Sequence, residues 1–285
     1  MKVIHHITLV ILLLATGNLA GQDMVHKASR ADERSFGKGV SRVSVYSEKA
    51  SVTVKGWSGS EIKVLLKPVS RNTDMEKAVA DLKFIRYYAE KEGDRLVIRN
   101  SFTGKMEQIT SNLSISIEIY MPVSIPAEIT NLYGPVIVSN LSEATVAVSF
   151  GSLAVTDIGS KCNITARYSN MELTSVHGAL AVRSEKSDIR ALRLSAASTL
   201  DCSYGTANLE LSGPGPLTVK GHRTTVELTV DDFGRYRYIL EAQQGKVILP
   251  DGRQEGKEKV VIQNTDNAGI IDVTTSYCDI RVSTK

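Results

Sequence analysis

The sequence predicts an all-β protein, most of which forms a parallel β-solenoid with about 18 residues per coil. One phrase recurs through the second half of the chain: an aromatic residue, a small residue, and then alternating apolar residues. The phrase begins at Tyr133, Phe150 and Tyr168 and continues at Lys186 and Tyr204, in steps of 17 and then 18 residues. A fixed period that contains a strand-like pattern is typical of repeat architectures.

Each copy of the repeat carries two or three short strands whose apolar residues would face one interior. In the first copy, Val136, Val138 and Leu141 follow the aromatic at positions plus three, plus five and plus eight. Coils stacked about 4.8 Å apart would pair strand on strand and leave every second residue in solvent. Outward charges on successive coils should alternate in sign and form a solvated ladder. Its expected members are Glu172 and Arg190 and, if the following copies shift by one or two residues, Glu210 and Glu227.

Composition and charge favour a folded protein and argue against nucleic acid as a partner. The chain has 285 residues, 42% of them hydrophobic, so it can bury a core in one elongated domain or two ordinary ones. Lysine and arginine total 34 against 31 aspartate and glutamate, a net charge of +3. Both signs are scattered along the chain, whereas nucleic-acid binders concentrate positive charge on one face.

The first residues have the layout of a secretory signal peptide, which we place at residues 1–20. Lys2 precedes an apolar run from Ile7 to Ala15, and small and polar residues follow, with cleavage expected after Gly17 or Ala20. The run is shorter than the roughly 20 residues that span a bilayer, and no later stretch is apolar enough to do so. The alternatives are a membrane anchor or a buried strand. We therefore expect export to the periplasm or the cell surface.

A polar lead-in, residues 21–39, should connect the signal peptide to an N-terminal β section, residues 40–130. Alternating apolar residues at Val52 and Val54 meet a glycine-containing turn and resume at Ile62, which predicts two strands joined by that turn. Trp57, the only tryptophan, lies at the turn. We expect it to cover the open end of the core, since its large apolar area favours burial.

The same section should contain one short helix and a hairpin. Asp74 can cap a helix near residues 74–83, where apolar residues recur at helical spacing. The charged turn 90–94 contains a glycine and predicts a hairpin around it. A further strand from Leu113 to Tyr120 ends near two prolines and leads into the repeat region, residues 131–285, which should form one continuous domain with 40–130.

Later copies of the repeat are interrupted. The proline-rich stretch 212–216, the segment 231–238 and the charged insertion 251–259 each break the pattern. The phrase returns at 276–282, so the last copy should run to the C-terminus. We expect it to be one of the atypical terminal turns that cap the open edges of a solenoid.

The sequence contains no pattern that predicts a cofactor or a metal site. Cys162, Cys202 and Cys278 lack metal-ligand spacing, and Cys202 occupies a repeat position where small core residues are expected. The histidines beyond the signal peptide have no acidic or cysteine partner at ligand spacing. Phosphate-binding, nucleophile-elbow and EF-hand motifs do not occur. We therefore expect neither a cofactor nor a metal.

The repeat resembles a known family of bacterial proteins. The segment from Val52 to Trp57, the phrase from Asn131 to Gly134, the tandem Tyr/Phe coils and the final copy 276–282 are similar to the putative-adhesin family of secreted β-solenoid domains of the Bacteroidetes type. The resemblance covers about residues 40–282. It implies an exported, right-handed β-solenoid with an adhesive or surface-binding role, and it lends no catalytic residues. Lys186 and His222 depart from it, since they replace the aromatic.

The first functional hypothesis is a non-enzymatic binding protein of the cell envelope. Tyr133, Phe150, Tyr168 and Tyr204 recur at one coil position and are the candidate ligand-binding residues. An exposed row of rings could stack on the sugars of a cell-surface glycan, whereas a buried row would pack the corner of the coil. Burial is favoured, since aromatic residues usually place their large apolar area in a core. An envelope protein is the other candidate partner, and the oligomeric state is left open.

Two other function classes remain as alternatives. A polysaccharide-active lyase or hydrolase would need acidic residues that meet on one face. The candidates are Asp157, Glu172, Asp188 and Asp201, with Arg167 and Arg190 nearby. They occupy different positions of their copies and should scatter around the coil, so an enzyme is disfavoured. The second alternative is a regulatory partner of a membrane signalling protein.

Overall fold

The computed structural model describes residues 6–8, 25–256, 259–264 and 269–285. Strands make up 72% of the structure and its one helix is short, so the predicted all-β class is confirmed. The chain divides into two compact units, unit 1 (Met1–Pro135) and unit 2 (Val136–Lys285). Of the predicted signal peptide only His6–Thr8 is described, as strand β1, while the rest lies outside the described residues. The signal peptide and export therefore stay predictions.

Unit 1 continues from β1 with a series of strands and helix α1. The strands are β2 (His26–Ser29), β3 (Ala31–Phe36), β4 (Arg42–Glu48), β5 (Ala50–Trp57), β6 (Ile62–Asn72), β7 (Ile85–Glu92), β8 (Arg95–Phe102), β9 (Asn112–Pro122) and the first part of β10 (Ala127–Arg167). Helix α1 (Met75–Asp81) lies between β6 and β7, and one-turn 3-10 helices occupy Leu82–Phe84 and Met106–Gln108.

Long-range pairing connects these strands. β6 pairs antiparallel with β9 on one side and with β2 and β3 on the other. β9 also pairs parallel with β5, so the two strands predicted around the glycine-containing turn exist but flank β9. β4 is parallel to β8 and to residues 127–132 of β10. The predicted hairpin is confirmed as the antiparallel pair β7 and β8. Alternate residues of these strands, such as Val43, Val52 and Ile117, are fully buried and form the core.

The helix forms as predicted, whereas the tryptophan does not cover the core. Asp74 caps α1 by accepting hydrogen bonds from the backbone N–H groups of Glu76 and Lys77, at 2.9 and 3.3 Å. Trp57 lies on the solvent side of β5. The Lys63 ammonium lies 5.0 Å from its ring centroid, and its Nε1 donates to the Glu61 carbonyl at 3.0 Å. Its polar edge and a cation thus hold it on the surface.

Unit 2 contains the rest of β10 and the strands that follow it. They are β11 (Asn170–Val176), β12 (Ala179–Glu185), β13 (Ile189–Leu194), β14 (Ser198–Leu211), β15 (Leu217–Val230), β16 (Tyr236–Gln243), β17 (Lys246–Ile248), β18 (Gln254–Gly256), β19 (Val260–Ile262), β20 (Gly269–Ser276) and β21 (Ile280–Thr284). A one-turn 3-10 helix occupies Phe233–Arg235.

The strands of unit 2 pair in parallel, and the paired residues are 18 apart through most of the repeat. Leu153 lies beside Met171, and Ile164 lies beside Val182. The proline-rich break after β14 adds one residue, so Leu200 lies beside Val219. Because apolar residues alternate along each strand, the pairing places them in continuous buried columns.

The repeat strands of unit 2 pair in parallel, as expected for a solenoid, but they form a closed ring. β10 pairs with β11 and β12, β14 pairs with β12 and β13, and β11 pairs with β13. Five parallel strands thus close into a barrel, to which the other strands add. The ring closes because β10 and β14 each pair along two separate segments, residues 152–158 and 161–167 of β10 and residues 198–203 and 207–211 of β14.

The C-terminal copy does not form the terminal turn that we expected. β20 pairs in parallel with both β15 and β16, so it lies between two strands that precede it in the chain. β21 likewise lies between β15 and β17. The capping strands are instead β19, antiparallel to β16, and β18, antiparallel to β17. The chain therefore leaves the repeat after β15, forms these capping strands, and returns to it as β20 and β21.

Candidate functional site

The candidate aromatic residues all lie at a left-handed bend and are half-exposed. The backbone φ angles of Tyr133, Phe150, Tyr168 and Tyr204 are 64°, 57°, 50° and 58°. Their exposed fractions are 47%, 48%, 45% and 41%. The interpretation that these rings pack a buried corner is therefore wrong. Bulky residues rarely adopt this backbone conformation, and here it directs their side chains away from the core.

Strand register shows that three further residues of unit 2 lie at the same bend as these rings. Lys186, Arg223 and Tyr277 have φ angles of 49°, 49° and 65°. Ser203 pairs with His222, so Arg223 lies beside Tyr204, and His222 falls one residue before the position that we assigned to it. We call this set the corner column of unit 2. It consists of Phe150, Tyr168, Lys186, Tyr204, Arg223 and Tyr277.

Contacts within the corner column cover the ring faces. Phe150 and Tyr168 stack at a centroid distance of 5.0 Å and an interplanar angle of 8°. The Lys186 ammonium lies 4.9 Å from the Tyr168 centroid and donates to the Tyr168 hydroxyl at 3.0 Å. This hydrogen bond raises the pKa of Lys186. The Arg223 guanidinium lies 5.5 Å from the Tyr204 centroid and 5.3 Å from that of Tyr277. Each of these four rings therefore has a neighbour in the column against at least one of its faces.

Two shallow grooves run beside the corner column in unit 2. One, of about 320 Å³, includes Arg167, Arg183, Asp201 and Ser203 in its lining. The other, of about 310 Å³, shares Asp201 with it and continues past Lys220, His222 and Ser276. Ion pairs cross the coils here, from Arg167 to Glu185 at 3.6 Å and from Arg183 to Asp201 at 3.8 Å. The grooves are thus lined with hydrogen-bonding groups of both signs.

The candidate acidic residues do not converge. Asp157 bends the chain at another corner, and Glu172 lies opposite Arg190. Asp188 accepts hydrogen bonds from the backbone N–H and hydroxyl of Thr206 at 2.9 and 2.8 Å. Asp201 takes part in the ion pair above. No two of the four share the site that a general acid and base would need.

The predicted ladder of alternating charges forms only in part, because an uncharged residue interrupts it. Glu172 lies beside Arg190, and Arg190 lies beside Asn208, which occupies the place that we assigned to Glu210. Asn208 lies beside Glu227, and Glu227 forms an ion pair with Arg281 at 3.1 Å. Glu210 instead lies beside Thr229. The prediction failed at Glu210 because it assumed a shift of two residues, whereas Arg190 and Asn208 keep the ordinary step of 18, and the extra residue of the proline-rich break comes between Asn208 and Glu227.

The described part of the chain has no group of metal ligands, buries two of its three cysteines and contains no helix that could span a membrane. Within it, no three histidine, cysteine, aspartate or glutamate side chains are grouped to hold a metal ion. Cys162 and Cys202 are buried, and burial raises the pKa of Cys162 to about 12. The predicted role of Cys202 as a small core residue is confirmed, and Cys162 is buried in the same way. No helix in the described ranges has the length and apolar character needed to cross a membrane.

Comparisons with known proteins find likeness only among solved structures. No family model matches the chain, and no curated protein matches it. A putative cell adhesion protein from Clostridium sporogenes ATCC 15579 is 10% identical with a TM-score of 0.26, over 100% of both chains. A putative adhesin from Parabacteroides merdae ATCC 43184 is 7% identical with a TM-score of 0.38, over 88% of this chain and 95% of that one. A putative adhesin from Parabacteroides distasonis ATCC 8503 is 7% identical with a TM-score of 0.32, over 90% and 97%. The predicted resemblance to proteins described in this way is confirmed.

Proposed function

We propose that the protein is an exported, non-enzymatic, adhesin-like binding protein of the cell envelope that contacts a cell-surface glycan along the corner column of unit 2. We further propose that its parallel strands form right-handed solenoid coils of about 18 residues. The recurring 18-residue register supports the coils. The observation that carries the function is the corner column itself, a row of half-exposed rings and cations held at strained backbone positions.

Strain at one repeated position favours a role beyond packing. A left-handed conformation costs a non-glycine residue about 1–2 kcal/mol, and glycine would adopt it freely. In the corner column this cost recurs at Tyr168, Lys186 and Tyr204, on successive coils. Strained residues persist where the surroundings hold them in place and are concentrated at functional sites.

The chemistry of the column favours hydrogen bonding to a glycan over stacking on its sugars. Phe150 and Lys186 occupy the two faces of the Tyr168 ring, so a sugar cannot lie flat on it. Tyrosine hydroxyls, the guanidinium of Arg223 and the mixed groups of the adjoining grooves can donate to and accept from a polyhydroxylated chain. The paired charges of the grooves suit a ligand with little net charge.

The alternatives have less support. A lyase or hydrolase needs converging acidic groups, whereas the four candidates, Asp157, Glu172, Asp188 and Asp201, occupy separate positions. A regulatory partner of a membrane signalling protein has no observation in its favour beyond an exposed surface.

The test uses the purified protein on a panel of immobilised neutral and acidic bacterial polysaccharides. The double variant Tyr204→Phe/Tyr277→Phe removes two hydroxyls and keeps both rings. We expect it to bind at least one polysaccharide about tenfold more weakly than the wild type, since each hydrogen bond is worth about 0.5–1.5 kcal/mol. Tyr120→Phe, a comparably exposed tyrosine of unit 1, is the matched control. Equal binding by all three proteins would contradict the proposal, as would the release of new reducing or unsaturated ends.

A further inference from the structure

The solvent side of unit 1 brings together basic residues that are distant in sequence. Lys27 of β2 lies directly opposite Arg71 of β6, and Lys67 lies on the same side of β6. Lys67 lies beside Ser116 of β9, which lies beside Ser51 of β5. Because side chains alternate across a strand, all of these point to one face of four adjacent strands.

This face contains a groove, of about 640 Å³, that we call the basic groove. Four cationic side chains line it, those of Lys27, Lys49, Lys67 and Arg71, against the single carboxylate of Glu118. The lining also contains polar and apolar residues, which are Ser51, Ser114, Ser116, Asn112, Tyr133, Val69, Leu113 and Ile115. All of these residues belong to unit 1.

The basic groups of the groove are electrostatically uncompensated. Within the ranges that the structure describes, Lys27, Lys67 and Arg71 take part in none of the ion pairs. Burial lowers the pKa of Lys27, and the charges of Lys67 and Arg71 lower it further. Like charges directly opposite each other on neighbouring strands are unfavourable. This repulsion lowers the stability of the free protein, and a bound anion would relieve it.

Protection of a sheet edge does not explain Lys67 and Arg71. Charged residues often occupy edge strands, where they prevent pairing with another chain. β6, however, has strand neighbours on both sides, with β2 and β3 on one side and β9 on the other. Lys67 and Arg71 therefore lie in the interior of the sheet.

We propose that the basic groove binds an anionic oligosaccharide through its carboxylate or sulfate groups, at a site independent of the corner column. Lys27, Lys67 and Arg71 would pair with the anionic groups, and the serine and asparagine side chains would hydrogen-bond the sugar hydroxyls. Tyr133 is the one aromatic residue of the lining, and single-stranded nucleic acids require several stacking rings. The apolar residues Val69, Leu113 and Ile115 of the lining are buried, so they offer little surface for insertion into a membrane.

The experiment measures binding by calorimetry to a sulfated heparin hexasaccharide, a hexagalacturonate and the neutral maltohexaose. We expect the wild type to bind one or both charged sugars but not the neutral one, with an affinity that falls as salt rises from about 50 to about 200 mM. Lys67→Glu and Arg71→Glu should each weaken binding by about tenfold or more, since each places a negative charge among the remaining cations. The milder Lys67→Gln should weaken it less and serves if a reversal impairs folding.

The matched control is Lys91→Glu, which makes the same change of net charge at an exposed position of the β7–β8 hairpin. It should leave binding unchanged, and so should Tyr204→Phe/Tyr277→Phe, which tests the other site. The proposal is overturned if neither charged sugar binds, or if Lys91→Glu and Lys67→Glu weaken binding equally. It is also overturned if single-stranded DNA or phosphatidylglycerol vesicles bind more tightly than both sugars. Arg71→Gln should raise the Tm of the unliganded protein, because it removes the repulsion with Lys27.

Discussion

The hydroxyl of Ser187 accepts a hydrogen bond from the backbone N–H of Ser169 at 3.0 Å and donates one to the carbonyl oxygen of Glu185 at 2.9 Å. Ser169 repeats the arrangement one copy earlier, with the N–H of Gly151 at 3.2 Å and the carbonyl of Arg167 at 2.8 Å. Each serine follows a left-handed residue of the corner column. The serines therefore join neighbouring bends and hold the strained backbone in place.

Replacement of Ser187 by alanine should lower the free energy of unfolding by about 1–2 kcal/mol, because the buried N–H of Ser169 would lose its acceptor. Urea denaturation of the wild type and the variant measures the difference. Ser152→Ala removes an exposed hydroxyl from β10 and should change stability by less than about 0.5 kcal/mol. Similar losses in both variants would show that the serine of the bend has no special role.

The stacked pair Phe150 and Tyr168 should show energetic coupling. A double-mutant cycle with Phe150→Ala and Tyr168→Ala should give an interaction energy of about 0.5–1.5 kcal/mol, the range found for aromatic pairs. The control cycle combines Phe150→Ala with Tyr277→Ala, at a distant copy of the same column, and should be additive within about 0.5 kcal/mol. Additivity in both cycles would mean that the rings touch without stabilising each other.

Asp81 should make stability depend on pH at the acidic end. Burial by itself would raise the pKa of Asp81, but hydrogen bonds from Ser111 and Thr110 outweigh it and lower the pKa below its ordinary value. A lowered folded-state pKa contributes stability that is fully present above the unfolded value of about 3.9 and is lost as pH falls through the folded value. Asp81→Asn should therefore be less stable than the wild type at pH 7.

The measurement is urea denaturation across the acidic range. The stability gap between the wild type and Asp81→Asn should narrow as pH falls below about 4, because protonation weakens the same hydrogen bonds in the wild type. Glu92→Gln, at an exposed carboxyl of the β7–β8 hairpin, is the control and should differ little from the wild type. A gap that stays constant from pH 7 to about pH 3 would exclude this role for Asp81.

The three cysteines should differ in reactivity. Burial raises the pKa of Cys162 to about 12 and also raises that of Cys202, so few thiolates form at neutral pH. Cys278 is half-buried. A thiol reagent should therefore label Cys278 first in the native protein and all three in denaturant, as peptide mass spectrometry would report. Rapid native labelling of Cys162 would contradict the buried position.

The period and the alternation of the repeat were enough to predict much of unit 2. A step of 18 residues places Leu153 beside Met171 because parallel strands of equal copies pair at the copy length. Alternation then decides which residues are buried, since strand side chains point to opposite faces in turn. Both are properties of the local chain, as are the cap at Asp74 and the helical spacing that predicted α1.

The sites depended on contacts that no local pattern contains. Tyr168 is exposed because it lies at a left-handed bend, which the hydroxyl of Ser187 stabilises from the next copy. The apolar character of the ring predicted burial and could not reveal this bend. The position of β20 between β15 and β16 joins segments separated by the cap. Lys27 and Arg71 meet because β2 pairs with β6, and antiparallel pairing between distant strands decides which charges become neighbours. Periodicity thus determined the strands and their interior, while non-local pairing decided which side chains the surface presents together.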